Sequence, residues 1–566
     1  MKTRTVNLIP GERPNLRRLM VLAGLAVVTA LLAGTPAYAQ DKTSEIDKIF
    51  SWVTPGMPGC AVAASHQGKQ VVNRAYGIAD LERNVPITPD TIFDAGSIVK
   101  QFAAASVLLL VEDGRVSLTD DIRKYIPEMP DTGHKITLDH LLTHTSGVRD
   151  WTAILPFAAG DPDALTVTLR QRGLNFAPGE EWAYSNGGYV LLKEMVGRVS
   201  KVSFGDFTRK RLFEPLGMKS TRYLLDMAEV GKHLALAYEK QGDQWKPDMM
   251  LGNARGGGGA LFTTATDLLT WVNAIMGGRL GKFVTQKIQE PATLSNGRKL
   301  VYARGLILEG NGGVKIVWHS GSAAAYKTIV GHFPEHGFSI AIMCNAGEAA
   351  GNRDEFAARI FDLFVPGVRR AAGPAAPAAG PQGAAVEGLD VNSKAGLFFS
   401  EQTGQPLRLG VQNGALRVAG GPALRPATKD RFQRVGISTQ FMSADAFELT
   451  FLSQDQLELK SMEGKTTRYR RAQPYAPTAA DLQAFAGRYE SKEIGSVFQI
   501  ASGQNGLAMI LEHLPARRVD VTPVDRDTFQ RGGITVRFHR DTSGQVVAFD
   551  WSNPVNRNIK FTRLGE

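Results

Sequence analysis

The chain has 566 residues, of which 43% are hydrophobic and 21% are charged, and its formal net charge is +10 at pH 7. This is a globular composition, and the length is too great for one hydrophobic core, so two or three domains are expected. A mild positive excess without a basic block argues against dedicated nucleic-acid binding, and the presence of only two cysteines argues against a disulfide-based framework.

The first 39 residues have the pattern of a secretory signal peptide. Arg17 and Arg18 precede the apolar stretch 19–34, and an Ala-Tyr-Ala sequence ends at Ala39, immediately before Gln40. A basic region, a short apolar core and an A-x-A site predict cleavage after Ala39 and export across the inner membrane to the periplasm. A retained membrane anchor is the alternative, although the apolar run is short for a bilayer span. An envelope lined with anionic polymers would suit the positive charge, so cell-wall association is compatible with the sequence.

Residues 60–68 and 70–77 have the pattern of two strands joined by a Gly-containing turn, which predicts a β-hairpin. The stretch 93–102 follows, with the sequence Phe-Asp-Ala-Gly-Ser-Ile-Val-Lys-Gln-Phe, and an apolar run comes directly after it. This pattern predicts a helix that opens near Gly96.

Such a helix places Ser97 and Lys100 on one face, one turn apart. A hydroxyl becomes a good nucleophile when a nearby base takes its proton, and a lysine amine can be that base only when it is neutral. Burial and the positive end of a helix both lower a lysine pKa. The pair therefore predicts a nucleophile, Ser97, and its base, Lys100. The alternative is a solvated Ser and Lys on a helix surface.

Two histidines, His140 and His144, lie four residues apart in the stretch 136–147. That spacing is compatible with a zinc site, but the glutamate of H-E-x-x-H is missing and no third ligand is evident. Structural or capping roles are the preferred interpretation, and neither a metal nor another cofactor is predicted.

Turn-forming residues surround Tyr184, Ser185 and Asn186, which predicts that they lie on a loop entering a helix. A buried Tyr184 phenol near Lys100 would relay a proton to a leaving group, and the Asn186 carboxamide would hydrogen-bond a substrate amide. A core tyrosine followed by a capping asparagine is the alternative.

Gly256 to Gly259 predict a flexible loop, and Thr266 with Asp267 is predicted to cap the apolar helix 268–276. A phosphate-binding loop would need a Lys-Ser/Thr pair after the glycines, and none is present, so we do not predict one.

The stretch 314–322 predicts a strand with His319 near its end and small residues after it. Small residues let a backbone lie against a bound substrate, so Gly321 and Ser322 are predicted to contact it. The amides of Ser97 and Ser322 would together hold an oxyanion. A buried core histidine is the alternative for His319.

Two more strand-like runs, 327–333 and 338–345, precede a predicted helix at 354–364. Strands at both ends of the region with helices between them predict an α/β fold, in which helices flank one mixed antiparallel sheet.

A Pro/Ala/Gly-rich linker is predicted at 366–386, because it has no apolar face to bury. The sequence beyond it contains a repeat. Ala-Gly-x-x-x-Ser recurs at 395 and 486, and Asp-x-Phe-Gln-Arg recurs at 430 and 527. Two units of roughly ninety residues, 387–473 and 474–566, are therefore predicted to form one small antiparallel β-barrel each.

The motifs Ser97-x-x-Lys100, Tyr184-Ser-Asn186 and His319-Ser-Gly occur in the order and rough spacing of the penicillin-recognising serine hydrolases, which the region 45–365 resembles. These include class C β-lactamases, D,D-carboxypeptidases, D-aminopeptidases and related esterases. The resemblance implies a β-lactamase/transpeptidase-like domain, predicted over 40–365.

The resemblance also implies residue roles. Ser97 would form an acyl-enzyme, and Lys100 and Tyr184 would shuttle protons. The substrate would be positioned by Asn186 and by the strand that carries His319, Gly321 and Ser322.

Two departures from the family pattern affect the expected specificity. Many members carry Lys-Thr-Gly where this chain has His319-Ser-Gly, so a permanent positive charge is lost unless His319 is protonated, which argues against good penicillinase activity. The two C-terminal units resemble the lipocalin-like barrels of D-aminopeptidase, in which a loop of the last barrel reads the substrate amine. The corresponding region here, 527–538, has no obvious extension, so that specificity is not carried over.

The sequence therefore predicts a serine hydrolase, with a peptidase or amidase acting on D-amino-acid or peptidoglycan-type peptides preferred. An esterase or weak β-lactamase of the same family is one alternative, and a catalytically idle envelope-binding protein is an alternative of a different class. The expected partner is a small peptide, ester or β-lactam-like substrate. The sequence leaves open the oligomeric state, the role of the two barrels and whether Cys60 and Cys344 pair.

Overall fold

A computed structural model describes residues 37–224, 233–248, 259–311, 314–351, 353–368, 386–401, 404–419, 423–434, 437–439, 442–444, 447–461 and 466–565. Most of the predicted signal peptide, Gly256 to Gly258 of the predicted loop and most of the linker lie outside these residues. Within the described ranges, no helix combines the length and apolarity needed to cross a bilayer. The described residues 37–54 form a first unit with the helix Ala37–Ile49, and the elements that follow belong to a second unit that begins at Pro55.

The N-terminal domain contains thirteen described strands. They are β1 Cys60–His66, β2 Lys69–Tyr76, β3 Ile78–Asp80, β4 Val85–Pro86, β5 Phe93–Asp94, β6 Arg222–Leu224, β7 Tyr238–Gln241, β8 Gln244–Pro247, β9 Ala260–Thr263, β10 Ile307–Asn311, β11 Val314–Ala323, β12 Tyr326–Phe333 and β13 Phe338–Cys344.

Its α-helices are Val99–Glu112, Leu138–Leu142, Ala164–Leu169, Asn186–Ser200, Phe204–Thr208, Glu214–Leu216, Ala265–Met276, Lys282–Ile288 and Arg353–Phe364. Short 3₁₀-helices lie at Gly96–Ile98, Ile122–Lys124, Trp151–Ala153, Leu155–Phe157, Pro334–His336 and Gly347–Ala350. A short π-helix lies at Arg209–Phe213.

A six-stranded sheet in the order β10-β11-β12-β13-β1-β2 organises this domain, and each of its pairings is antiparallel. The first two strands of the domain therefore share one sheet with its last four strands, as predicted. The predicted hairpin is confirmed as β1 and β2. Cys60 and Cys344 lie opposite each other on β1 and β13 and are joined by a disulfide, which resolves the question that the sequence left open.

The helix Val99–Glu112 is central to the domain core. Its residues from Lys100 to Leu110 are all buried, because strands of the sheet and other helices of the domain pack around it in one hydrophobic core. Phe102 stacks on Trp271 with ring centroids 3.9 Å apart, and the Trp271 indole N–H donates to Gln101 Oε1 at 2.8 Å. Burial on every face explains why the run is apolar without a polar stripe. The fold class predicted from the sequence is confirmed.

One predicted helix cap was wrong. The helix Ala265–Met276 begins earlier than predicted, and its N-cap is Thr264, whose hydroxyl accepts from the Asp267 N–H at 3.1 Å. Asp267 instead accepts from Thr221 Oγ1 at 2.8 Å, and this bond ties the helix to the segment before β6. Threonine and aspartate are both favoured at the N-cap of a helix, so the local sequence does not distinguish Thr264 from Thr266 and Asp267 as the capping residue.

The first repeat, here called barrel 1, is an antiparallel sheet preceded by the helix Val391–Lys394. Its strands are β14 Gly396–Ser400, β15 Pro406–Gln412, β16 Ala415–Val418, β17 Arg425–Pro426, β18 Arg431–Arg434, β19 Ile437–Thr439, β20 Met442–Ala444, β21 Phe447–Phe451, β22 Gln456–Ser461 and β23 Thr466–Arg471. Eight of them form one sheet, while β19 and β20 pair separately. In the described part of barrel 1, the two edge strands of that sheet, β16 and β17, do not pair with each other, and a single isolated bridge joins Arg417 and Ala423, so the sheet is a half-barrel rather than a closed one.

The second repeat, here called barrel 2, is a closed eight-stranded barrel preceded by the helix Ala479–Gln483. Its strands are β24 Gly487–Ser491, β25 Ser496–Gly503, β26 Gly506–Leu511, β27 Leu514–Asp525, β28 Thr528–Arg531, β29 Ile534–Arg540, β30 Val546–Ser552 and β31 Ile559–Arg563. Its aromatic core continues into the N-terminal domain, where Trp151, Ile154 and Val190 join the same hydrophobic cluster. Barrel 2 therefore packs against the N-terminal domain.

Candidate active site

Ser97 lies in the tight turn Gly96–Ile98 that leads into the central helix. Gly96 has φ +54°, and a Cβ there would come 2.6 Å from the Ser322 backbone nitrogen. A Cβ on Gly321 would come 2.1 Å from the Ala95 carbonyl oxygen. Only glycine allows these two backbones to approach so closely. The Ser97 turn and the end of β11 therefore face each other, as the predicted oxyanion site requires.

The Ser97 hydroxyl has two predicted partners within reach. The Tyr184 phenol donates to Ser97 Oγ at 2.7 Å, and Lys100 Nζ lies 3.3 Å from the same oxygen. Lys100 Nζ also donates to Asn186 Oδ1 at 2.8 Å. The structure thus brings together the four polar groups that the sequence placed in two separate motifs.

The charge state of Lys100 suits a base. Burial lowers the pKa of Lys100 to about 7, while the Asp150 carboxylate opposes that shift and the Lys193 ammonium adds to it. A lysine with that pKa is neutral in a large fraction of molecules at neutral pH and can then accept a proton. Burial raises the pKa of Tyr184 far above its usual value, so the phenol stays protonated and acts as a donor.

The Tyr184 loop is supported by His144. Ser185 is the N-cap of the helix Asn186–Ser200, and its backbone N–H donates to His144 Nδ1 at 3.1 Å. The His144 ring lies 4.3 Å from the Tyr184 ring, and burial lowers the pKa of this histidine well below its usual value, so it is a neutral acceptor. His140 accepts from the Thr137 N–H at 3.3 Å in a capping box. The predicted structural and capping roles of the two histidines are confirmed.

Asp150 is a site residue that the sequence did not reveal. Its Oδ2 accepts from the Asn186 backbone N–H at 2.9 Å and from Asn186 Nδ2 at 2.8 Å. With its amide nitrogen fixed on Asp150, Asn186 presents its oxygen to Lys100. No motif marks Asp150, because its role depends on contacts that only the fold creates.

Asp150 is in turn held by barrel 2. Asn556 accepts from the Asp150 N–H at 2.7 Å and donates to the Asp150 carbonyl oxygen at 2.9 Å. The neighbouring Arg149 forms a buried ion pair with Glu493 and donates to the Asn558 carbonyl oxygen at 3.1 Å. A continuous set of hydrogen bonds therefore joins barrel 2 to Lys100 through Asp150 and Asn186.

His319 lies near the site, with its ring centroid 6.5 Å from that of Tyr184, but it does not line the cavity beside Ser97. Its side chain is fully buried, with Nδ1 2.6 Å from the Ser320 carbonyl oxygen and Nε2 3.3 Å from the Tyr302 hydroxyl. Burial lowers the pKa of His319 to about 3, so the ring is neutral and supplies no positive charge to a substrate carboxylate. Gly321 and Ser322 of the same strand lie against the Ser97 turn.

A cavity of about 210 Å³ opens beside the nucleophile. The predicted site residues that line it are Ser97, Lys100, Tyr184, Asn186 and Ser322. Two charged side chains that the sequence did not single out, Asp94 and Lys193, also line it. Across the described ranges, no cluster of three or more His, Cys, Asp or Glu side chains is placed to hold a metal ion.

The sequence profile of the Beta-lactamase family matches residues 39–363. The chain is 27% identical over 309 residues to penicillin-binding protein 4* of Bacillus subtilis, an alignment that covers 51% of this chain and 68% of that protein. It is 23% identical over 533 residues to a D-aminopeptidase of Brucella canis, which covers 90% of this chain and 96% of the relative.

Among solved structures, an octameric penicillin-binding protein homologue from Pyrococcus abyssi is similar, with a TM-score of 0.51 and 22% identity. That similarity covers 76% of this chain and 99% of the other one. At this level of identity the similarity establishes the fold.

Proposed function

The chain belongs to the beta-lactamase family and is a serine hydrolase, and on this premise we propose that it is a peptidase or amidase acting on D-amino-acid or peptidoglycan-type peptides through an acyl-enzyme on Ser97. One observation carries the proposal. A lysine whose pKa lies near 7 and a protonated tyrosine both contact the same serine oxygen.

Acylation begins when neutral Lys100 accepts the Ser97 proton as Ser97 Oγ bonds to the substrate carbonyl carbon. The carbonyl electron pair moves onto its oxygen, and the amides of Ser97 and Ser322 are the donors proposed to stabilise that oxyanion. Asn186 holds the Lys100 amine against Ser97 throughout this step.

The leaving nitrogen needs a proton before the carbon–nitrogen bond breaks. Tyr184 donates its phenol proton to that nitrogen and recovers one from the Lys100 ammonium, which lies 4.5 Å from the centre of the tyrosine ring. A water molecule then attacks the acyl carbon while Lys100 accepts the water proton. Ser97 Oγ departs and is protonated again, which releases the acid.

Two observations support an amide or peptide substrate over a β-lactam. The neutral, buried His319 gives no cation to hold the carboxylate that penicillins and cephalosporins carry. The relative aligned along 90% of the chain is a D-aminopeptidase. An esterase is the second candidate, since the neutral His319 also favours uncharged leaving groups over carboxylate-bearing ones.

The test is a substrate panel for the purified mature chain and for Ser97→Ala. We expect release from D-alanine p-nitroanilide or a D-alanine peptide amide, neither of which carries a carboxylate on its leaving group, to exceed release from the L-isomer and hydrolysis of a chromogenic cephalosporin. Faster hydrolysis of p-nitrophenyl esters with no amide turnover would favour the esterase. Turnover that persists in Ser97→Ala would overturn the mechanism.

We also propose that residues 1–39 direct export to the periplasm, on the basis of their sequence pattern. The exported chain should then begin at Gln40 when its N-terminus is determined by mass spectrometry. An N-terminus at Met1 on a membrane-bound chain would instead support the retained anchor.

A further inference from the structure

Two oppositely charged side chains, Asp94 and Lys193, line the cavity beside Ser97 and take no part in the acyl-transfer steps. Asp94 ends β5, immediately before the Ser97 turn, and Lys193 projects from the helix Asn186–Ser200. Asp94 belongs to the stretch 93–102, where no role was predicted for it, and no sequence motif marks Lys193.

The two side chains do not neutralise each other by direct contact. Asp94 Oδ1 accepts from the Gly96 N–H at 2.7 Å, and the other carboxylate oxygen has no hydrogen-bond partner in the described part of the chain. Lys193 is 8% exposed and donates to the Gly259 carbonyl oxygen at 3.1 Å. Among the same described residues, no carboxylate lies within ion-pair distance of Lys193. Each group therefore keeps hydrogen-bonding capacity that an occupant of the cavity can use.

Both groups are charged near neutral pH. Burial raises the pKa of Asp94 to about 6, and the Gly96 N–H and the Lys193 ammonium oppose that rise. Burial lowers the pKa of Lys193 to about 8, and Asp94 opposes that fall. From β12, the Tyr326 phenol also faces Asp94, and burial keeps its pKa well above the usual value, so it is neutral.

The more accessible of the two cavity-lining charges favours a cation. Asp94 is only partly buried, whereas Lys193 is buried. A buried carboxylate with an unused oxygen is stabilised when a cation binds it.

We propose that Asp94 binds a protonated amine on the acyl part of the substrate and that Lys193 keeps the Asp94 carboxylate ionised. The inference rests on the proposed function, because the occupant is the substrate of the same cavity. It narrows that function to substrates whose acyl group is a free amino acid rather than an N-acylated one.

The first test compares D-alanine p-nitroanilide with propionyl p-nitroanilide, which differs only in lacking the amine. The wild type should prefer the amine-bearing substrate by about 30-fold in kcat/KM, the low end of the cost of leaving a buried charge unpaired. Asp94→Asn keeps the acceptor for the Gly96 N–H and should abolish the preference, because kcat/KM for the amine-bearing substrate falls to that of the propionyl substrate in the same variant. Lys210→Met, a change at an exposed lysine of the same domain, is the matched control.

The second test is the pH dependence of that preference. It should fall in the wild type as pH drops through about 6, where Asp94 becomes protonated. In Lys193→Met the loss should occur at a higher pH, because the ammonium that lowers the pKa of Asp94 is gone. A merely structural pair would change the melting temperature and affect both substrates equally.

Labelling of Ser97 by a fluorophosphonate, measured by intact-protein mass spectrometry, tests the Ser97 hydrolase separately from the Asp94 amine site. Labelled enzyme with no amine preference, or with a preference that survives in Asp94→Asn, overturns the Asp94 site and leaves the hydrolase intact. Absence of labelling in the wild type overturns both.

Discussion

The two C-terminal barrels share one sequence plan but have different neighbours. Barrel 2 packs on the N-terminal domain and holds both backbone groups of Asp150 through Asn556. The described hydrogen bonds of barrel 1 include three to barrel 2, and one of these is Arg470 to Asp525 at 2.8 Å. The barrel 2 residues that hold Arg149 and Asp150 are Glu493, Asn556 and Asn558, and they lie in loops between its strands. A shared fold therefore does not imply a shared role, and the loops decide which copy supports the active site.

The largest effect is expected where barrel 2 reaches the catalytic residues. Asp150→Ala removes the acceptor of both Asn186 N–H groups, so Asn186 no longer holds Lys100 against Ser97. We expect kcat to fall by roughly 100- to 1,000-fold with a smaller change in KM, the pattern of a lost positioning contact. Steady-state kinetics with D-alanine p-nitroanilide would measure it. An unchanged kcat would mean that Asn186 is oriented without Asp150.

The next effect concerns the stability of the docked interface. Glu493→Gln removes the charge that pairs with Arg149, and the side chains of these two residues are 7% and 4% exposed. Breaking a buried pair leaves an uncompensated charge, so the free energy of unfolding should fall by about 3 kcal/mol. Urea denaturation would measure the change, with Glu458→Gln, in a surface pair of barrel 1, as the control. An equal decrease in the free energy of unfolding in the two variants would show that the Arg149–Glu493 pair contributes no more than a surface pair of barrel 1.

A smaller effect on activity is expected at Asn556, the barrel 2 residue that hydrogen-bonds to the Asp150 backbone. Asn556→Ala removes both hydrogen bonds to the Asp150 backbone, and kcat should fall by about tenfold because Asp150 keeps its own contacts to Asn186. Asn556→Asp keeps the acceptor and loses the donor, so its loss should be intermediate. Asn505→Ala, in an exposed turn of barrel 2, should match the wild type. A tenfold loss there would show that any change in this barrel disturbs the site.

The smallest effect is expected between the barrels. Arg470 and Asp525 form an ion pair whose side chains are 45% and 14% exposed. Partly exposed pairs contribute little, so Arg470→Ala should change the free energy of unfolding by less than about 1 kcal/mol and leave kcat unaltered. A loss of activity comparable to that of Asn556→Ala would show that barrel 1 also supports the site.

The sequence identified the residues that act through short-range spacing. Ser97 lies in the turn that leads into the helix carrying Lys100, and Tyr184 with Asn186 forms one helix entrance. Each pair is a short motif, and the order of these motifs along the chain carried the family resemblance. Asp150 was missed, because only the fold brings it to Asn186, 36 residues further along the chain, and to Asn556, 406 residues further along.

The same limit applies to the sheet and the barrels. The sequence predicted β1 and β13, but the disulfide depends on their register, which places Cys60 opposite Cys344. The orientation of His319 is likewise set by which face of β11 is covered. The repeat was visible as matched segments, whereas the closure of barrel 2 and the half-open form of barrel 1 depend on how their edge strands pair.

The central claim is that neutral Lys100 activates Ser97, and the pH dependence of Ser97 labelling by a fluorophosphonate tests it most directly. Burial places the pKa of Lys100 at about 7, so the labelling rate should rise as pH increases through about 7 and level off above that pH. Lys100→Ala should lose most of the rate and this dependence. A flat profile in the wild type, or equally fast labelling of Lys100→Ala, would contradict the claim and place the base elsewhere.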